Sequence, residues 1–208
     1  MLSRRQFVLA ACALPAALPF AGLARAEPAA GPSAAAVEPW AAALIAAARA
    51  QIGVTTIYDG SYARIAYPMG DVPRERGVCC DVVIRAYRDA LARDLQQSVH
   101  EDMRAHFSKY PRLWGLTRTD SNIDHRRVPN LMTFLARAGA AVDGDEEPRP
   151  GDLVTMIVPP NLPHIAIVSD ARSADGRRPL IVHNIGAGTR EEDRLEEFVR
   201  SGHYRWPG

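Results

Sequence analysis

The spacing of apolar residues changes once along this chain, and that change limits the folds open to it. Up to Gly139 apolar side chains recur at helical intervals; from Leu153 onward they fall in short β-rich runs. Trp40, Leu44, Ile45, Ala48 and Ile52 form the first helical stripe, with Gly53 as its stop. Residues 80–95 predict a helix with Val83, Tyr87, Ala90 and Leu91 on one face, and 96–107 predict a second that Tyr110-Pro111 closes. Pro129 opens another through Leu131, Phe134 and Leu135. Residues 153–158, 164–168 and 180–183 read as strands, and 54–76, rich in tyrosine and turn residues, as an ordered loop. Helices first and strands later predict an α+β domain with helices packed on an antiparallel sheet.

Length permits one such domain. The first 26 of the 208 residues read as an export signal: Arg4 and Arg5, an apolar run, and Ala24-Arg25-Ala26 as the cleavage site. Ser3-Arg4-Arg5-Gln6-Phe7 resembles the twin-arginine motif, and Leu9-Ala10-Ala11-Cys12 leaves lipoprotein processing as the alternative. Pro15 and Pro19 interrupt the run, which is short for a membrane span. Residues 27–36 read as a Pro/Ala/Gly linker and 37–208 as the folded domain, placed in the periplasm or outside the cell. Lys plus Arg (25) balance Asp plus Glu (24), so no overall field favours nucleic acid.

Once the leader is removed, the only cysteines left are Cys79 and Cys80, and two neighbours build no disulfide framework. Free thiols in an oxidising compartment raise the question of reactivity, against the plain alternative of small buried apolar residues. A thiol hydrolase needs a thiolate, an imidazole to exchange its proton, and a group to hold that imidazole. Cys79 stands at a predicted helix start, where backbone N–H groups and the helix dipole favour a thiolate. His164 opens a strand and His183 closes the next, so a hairpin would bring the two rings together.

The order of helix-borne Cys79, Pro150-Gly151-Asp152 leading into Leu153-Val154, His164-Ile165-Ala166-Ile167-Val168, and Val182-His183 resembles NlpC-type papain-like cysteine peptidases, which cut peptides of the bacterial cell wall. That resemblance implies Cys79 as nucleophile, His164 as base, His183 as the orienting residue and Tyr67 beside the oxyanion. Cys80 and Asp81, next in sequence, are the other oxyanion or cleft candidates. Adjacent side chains on a helix point about 100° apart, so only one of the two cysteines is expected to face the cleft, and Cys80 reads as a core residue or one behind it. A nearer resemblance covers 67–68, 70–73, 77–79, 81–87, 99–103, 122–130 and 183–186: these strings are similar to the bacterial domain-of-unknown-function family 1287, placed in that superfamily. Val78 before the cysteine and Cys80-Asp81 after it depart from the wider superfamily's acid and Ser-Gly. In the nearer family Cys80 replaces a small hydroxyl residue and Met69 a glycine.

His125, Arg126, Arg127 and Asn184 are the substrate-binding candidates, the arginines because a guanidinium grips a carboxylate with two hydrogen bonds. Asn184 also competes with His183 for the orienting role. The polar stretches around His100 and His125 lack metal-ligand spacing, so neither a metal nor another cofactor is expected. Residues 190–197 read as a solvated helix or loop. The expected activity is cleavage of an amide bond in peptidoglycan stem peptides; amidase or acyltransferase chemistry on the same residues, or a non-catalytic wall- or partner-binding module, are the alternatives. The sequence specifies no oligomeric state.

Overall fold

The computed structural model describes residues 36–208; the predicted export signal and all but the last residue of the predicted linker lie outside them. Four helices precede a five-stranded antiparallel sheet, an α+β arrangement. The helices are α1 (Pro39–Arg49), α2 (Cys79–Leu91), α3 (Leu95–Ala105) and α4 (Val128–Arg137). Two-residue strands β1 (Ile57–Tyr58) and β2 (Arg76–Gly77) pair in parallel at the base of the loop before α2. The sheet comprises β3 (Leu153–Val158), β4 (Leu162–Arg172), β5 (Pro179–Asn184), β6 (Thr189–Glu192) and β7 (Val199–Tyr204), in the order β6-β5-β4-β3-β7. Among the described residues no helix is long and apolar enough to cross a membrane.

The sheet's apolar runs follow from burial on both faces. Ile165 and Ile167 of β4 join Leu44 and Ile45 of α1 and Val83 and Leu95 in the core under the helices, while Ala166 and Val168 join Val154, Met156, Ile181 and Leu195 on the other face. A strand covered on both sides reads as continuous apolar text rather than alternation. Helix α2 lies deepest, buried from Cys79 through Tyr87. Its buried Arg85 donates to Asp71 (2.9 Å), to the Thr55 hydroxyl (3.0 Å) and to the carbonyls of Val72 and Arg76, which fastens the loop of residues 54–77 onto the helix. This cation is compensated by a carboxylate and several acceptors, the condition under which a buried charge is tolerated.

Three boundaries differ from the sequence reading. The predicted helix over 80–95 ends early, at Ala92 in the left-handed region (φ 52°), because Asp94 starts a new helix by accepting from the Gln96 N–H at 3.1 Å. Residues 190–192, the start of the stretch expected to be a solvated helix or loop, instead belong with Thr189 to edge strand β6, with Thr189 opposite Asn184 and Arg190 opposite His183. Its charged side chains suit an edge, where they discourage pairing with another chain. Polar β7, absent from the expected strands, pairs with β3 on the opposite edge. Behind it, Asp152 is fully buried and accepts from His203 (2.7 Å) and twice from Arg205 (2.8 Å each). Gly151, before it, has φ +88°, and a Cβ there would come within 2.5 Å of the Ala41 Cβ, so the turn demands glycine.

Candidate active site

Helix α2 begins at Cys79, so the N–H groups of Cys79 and Cys80 have no carbonyl one turn back within the helix. The entry is fixed by Asp81, whose carboxylate accepts from the Val78 N–H at 2.7 Å. The same carboxylate takes two hydrogen bonds from Arg126, Nε to Oδ1 at 2.8 Å and Nη2 to Oδ2 at 2.9 Å, with both side chains 3 % exposed. Arg126 then donates to the carbonyls of Asp59 and Ser61 (3.1 Å each), holding the loop that follows β1.

Cys79 is 4 % exposed and lies on the wall of a cleft of about 410 Å³, lined also by Tyr58, Tyr62, Trp114, Arg126, Arg127 and Pro163. The Cys80 thiol beside it holds the Cys79 thiol well below its ordinary value; burial opposes this, and the His164 imidazole and the Ile165 N–H reinforce it. Cys80 is pushed the other way, by its bond to Cys79 and by burial. Of the adjacent pair, these directions favour Cys79 over Cys80 as the sulfur that ionises.

The β4–β5 pairing sets Ile167 opposite Val182 and brings His164 and His183 together. Their rings are 5.0 Å apart and close to perpendicular, with His164 Nε2 2.8 Å from His183 Nδ1. His183 Nε2 lies 3.2 Å from Glu192 Oε2 on β6. Burial and then the nearby His164 charge push His183 down to about 4, so it is neutral at pH 7. A neutral ring donates through one nitrogen only. Glu192 accepts from Nε2–H, so Nδ1 of His183 accepts from His164 Nε2–H, and His164 Nδ1 is left to exchange a proton with the sulfur. The arrangement can hold a thiolate, pass its proton to an imidazole and keep that imidazole in one tautomer.

Glu192 is the member that sequence reasoning missed. It sits in the charged stretch read as solvated, and only the β5–β6 register carries it to His183. Replacing Glu192 by Gln leaves His183 without an anionic acceptor and removes the preference for one tautomer. The expected outcome is a kcat lower by at least about tenfold with KM little changed. Exchange-broadened imidazole 15N signals from His183 would check the tautomer itself, and sharp, unshifted signals would sink the assignment.

The remaining sequence candidates divide. Cys80, Arg126 and Arg127 line the cleft with Cys79, so both cysteines border it rather than one, whereas both Asp81 oxygens are spent on Val78 and Arg126. Tyr67, expected beside the oxyanion, is not among the cleft-lining residues: it reaches Glu101 at 3.4 Å and meets the edge of His100. Two tyrosines line the cleft, Tyr58 and Tyr62; Tyr58 stands opposite Gly77 in β1–β2, and burial, then the nearby Cys79, raise its hydroxyl. A parallel pair of two-residue strands has no periodic signature, so the sequence held no signal for it. Asn184 donates to the Gly77 carbonyl (3.1 Å) and accepts from the Gly186 N–H; His183, not Asn184, meets His164. Among the described residues no group of three or more His, Cys, Asp or Glu could hold a metal.

His125 is 2 % exposed, and its Nδ1 is buried with no partner; it does not line the cleft. Burial and then the Arg126 charge push it down to about 3 from 6.5, so the folded protein keeps it neutral. Below pH 6.5 the unfolded chain takes up a proton that the folded chain refuses, and stability present above that pH is lost on acidification. Between pH 6.5 and 4.5 this one residue is expected to remove about 2–3 kcal/mol. His183 acts in the same direction. Urea unfolding at a series of pH values should show a shallower acid loss for His125→Gln; an unchanged slope would refute the attribution.

All of these residues fall in the span that comparison with known proteins covers. The family described as Domain of unknown function (DUF1287) matches residues 45–206. The Escherichia coli (strain K12) protein named "Uncharacterized protein YijF" is 51 % identical over 162 residues, 76 % of this chain and 78 % of that protein. No solved structure matches the chain. A match over three quarters of the chain, reaching from α1 to the strand after His183 and beyond, means that this protein belongs to the DUF1287 family.

Proposed function

We propose that this protein is an exported cysteine hydrolase with an NlpC-type papain-like domain, cleaving an amide bond in the stem peptides of peptidoglycan. The observation that carries the reading is the line from Cys79 through His164 and His183 to Glu192, with its sulfur end at a cleft. The Cys79 thiolate attacks the amide carbonyl and forms a carbon–sulfur bond. His164 gives its Nδ1 proton to the departing amine as the carbon–nitrogen bond breaks. Water, losing a proton to His164, then attacks the thioester, releases the acid and restores the thiolate–imidazolium pair. Donors available to the oxyanion are the Cys79 and Cys80 N–H groups at the start of α2 and the Tyr58 hydroxyl. Export rests on the leader read from residues 1–26, and the wall peptide on the compartment that leader addresses together with the papain-like resemblance.

The test is incubation of the leader-free protein with defined muropeptides, followed by mass spectrometry. Hydrolysis yields two fragments whose summed mass exceeds the substrate by one water, whereas transfer adds an acyl group to an acceptor. In parallel, a thiol-directed electrophile should label Cys79 much faster than Cys80. Intact muropeptides together with equal labelling of the two thiols would leave a binding module on the same fold.

A further inference from the structure

Two neighbouring arginines border the cleft, and their surroundings differ. Arg126 is spent on Asp81 and on the carbonyls of Asp59 and Ser61. Arg127 forms no hydrogen bond and no ion pair through its guanidinium among the described residues, and its Nη1 is buried without a partner. Its guanidinium carbon lies 4.3 Å from the centre of the Trp114 ring, which is 57 % exposed and forms part of the same cleft wall. A cation stacked on an aromatic face keeps its edge N–H groups directed outward for a planar anion. A buried guanidinium nitrogen with no acceptor is costly, so the position is set for a ligand that brings one.

Charge continues beyond Tyr62, which also borders a second trough of about 450 Å³ holding Arg64 and Arg118. Neither arginine makes an ion pair among the described residues. Asp120, the carboxylate of that trough, is already engaged: it accepts from the Tyr62 hydroxyl at 3.0 Å and from Asn122 at 2.9 Å. The open positive charge is therefore on the arginines.

We infer that Arg127, backed by Trp114, is the specificity-determining residue of this cleft and binds a free carboxylate of an acidic peptide near the bond to be cut. The inference rests on the hydrolase reading and adds to it which peptides are taken. Arg126, the other cleft-lining arginine, is assigned to holding the cleft together.

The experiment uses stem tetrapeptides with all carboxylates free and a set in which each carboxylate in turn is a carboxamide. For the wild-type protein, amidation at one position is expected to lower kcat/KM about 10- to 100-fold. Arg127→Gln should cleave that acid and amide pair at nearly equal rates, and Arg127→Lys, a point charge without the planar fork, should keep part of the preference. Equal amidation penalties in wild type and Arg127→Gln, or no penalty at any position, overturn the inference while leaving hydrolysis standing. If Arg127→Gln does not fold, loss of part of the preference in Arg127→Lys supports the inference and full retention overturns it. If the wild-type protein cleaves none of the peptides, the hydrolase reading fails, and calorimetry of the same peptides on Cys79→Ala protein tests the subsite alone. Tighter binding of an acid than of its amide supports it; equal binding of every pair overturns it.

Discussion

Replacing Cys79 by alanine is expected to lower muropeptide hydrolysis by at least about four orders of magnitude, the scale seen when a covalent nucleophile is removed. The fold should survive, because the change removes only a sulfur at the first position of α2 and leaves the Asp81 cap to Val78 in place. Circular dichroism and a melting curve check the fold; fragment release by mass spectrometry checks the chemistry. Cys80→Ala is the informative contrast. It takes away the thiol that acts most on the Cys79 sulfur but leaves His164 and the helix start. Its rate should fall far less than that of Cys79→Ala, since losing this thiol raises the Cys79 pKa and lowers the thiolate fraction but leaves the nucleophile in place. Activity retained in Cys79→Ala would mean that this sulfur is not the nucleophile and that the pair serves the core. His164→Ala should match Cys79→Ala, because a nucleophile and its base act as a unit and their effects do not add.

Much of this arrangement was legible before the structure, and what was not shares a cause. The helical stripes and β-rich runs placed α1, α4, β3, β4 and β5 because each buries a continuous apolar face, which is what periodicity records. Cys79 at a helix start and two histidines at the ends of adjacent strands could be read from local text. The missed elements draw their order from pairing. β1 and β2 are two residues each, and β6 and β7 carry polar sequences that become strands only beside β5 and β3. Tyr58 and Glu192 sit on two of these elements, so the places of Tyr58 at the cleft and of the carboxylate behind His183 were invisible for the same reason. Local text also leaves neighbouring residues equivalent: Arg126 and Arg127 are alike in sequence, and only their partners separate a clamp from an open cation.

The largest stability effect is expected at that clamp. Asp81→Ala leaves the Arg126 guanidinium, itself 3 % exposed at its side chain, without its counter-charge. Stranding a buried charge in this way costs about 3–5 kcal/mol. Loss of the cap on the Val78 N–H adds about 1 kcal/mol. Chemical denaturation gives the number, and a cycle with Arg126→Met separates its parts. The double variant should be more stable than the sum of the single losses predicts, because it removes the stranded cation together with its partner. Activity provides an independent check at a temperature where Asp81→Ala remains folded. Arg126 holds the Asp59 and Ser61 carbonyls, immediately after Tyr58, while Asp81 fixes the helix start that presents Cys79. Releasing the pair therefore loosens both walls of the cleft, and kcat should fall even in the folded variant. A destabilisation below about 1 kcal/mol, the range of solvent-screened surface pairs, would mean that water reaches the ion pair and that the cleft does not depend on it.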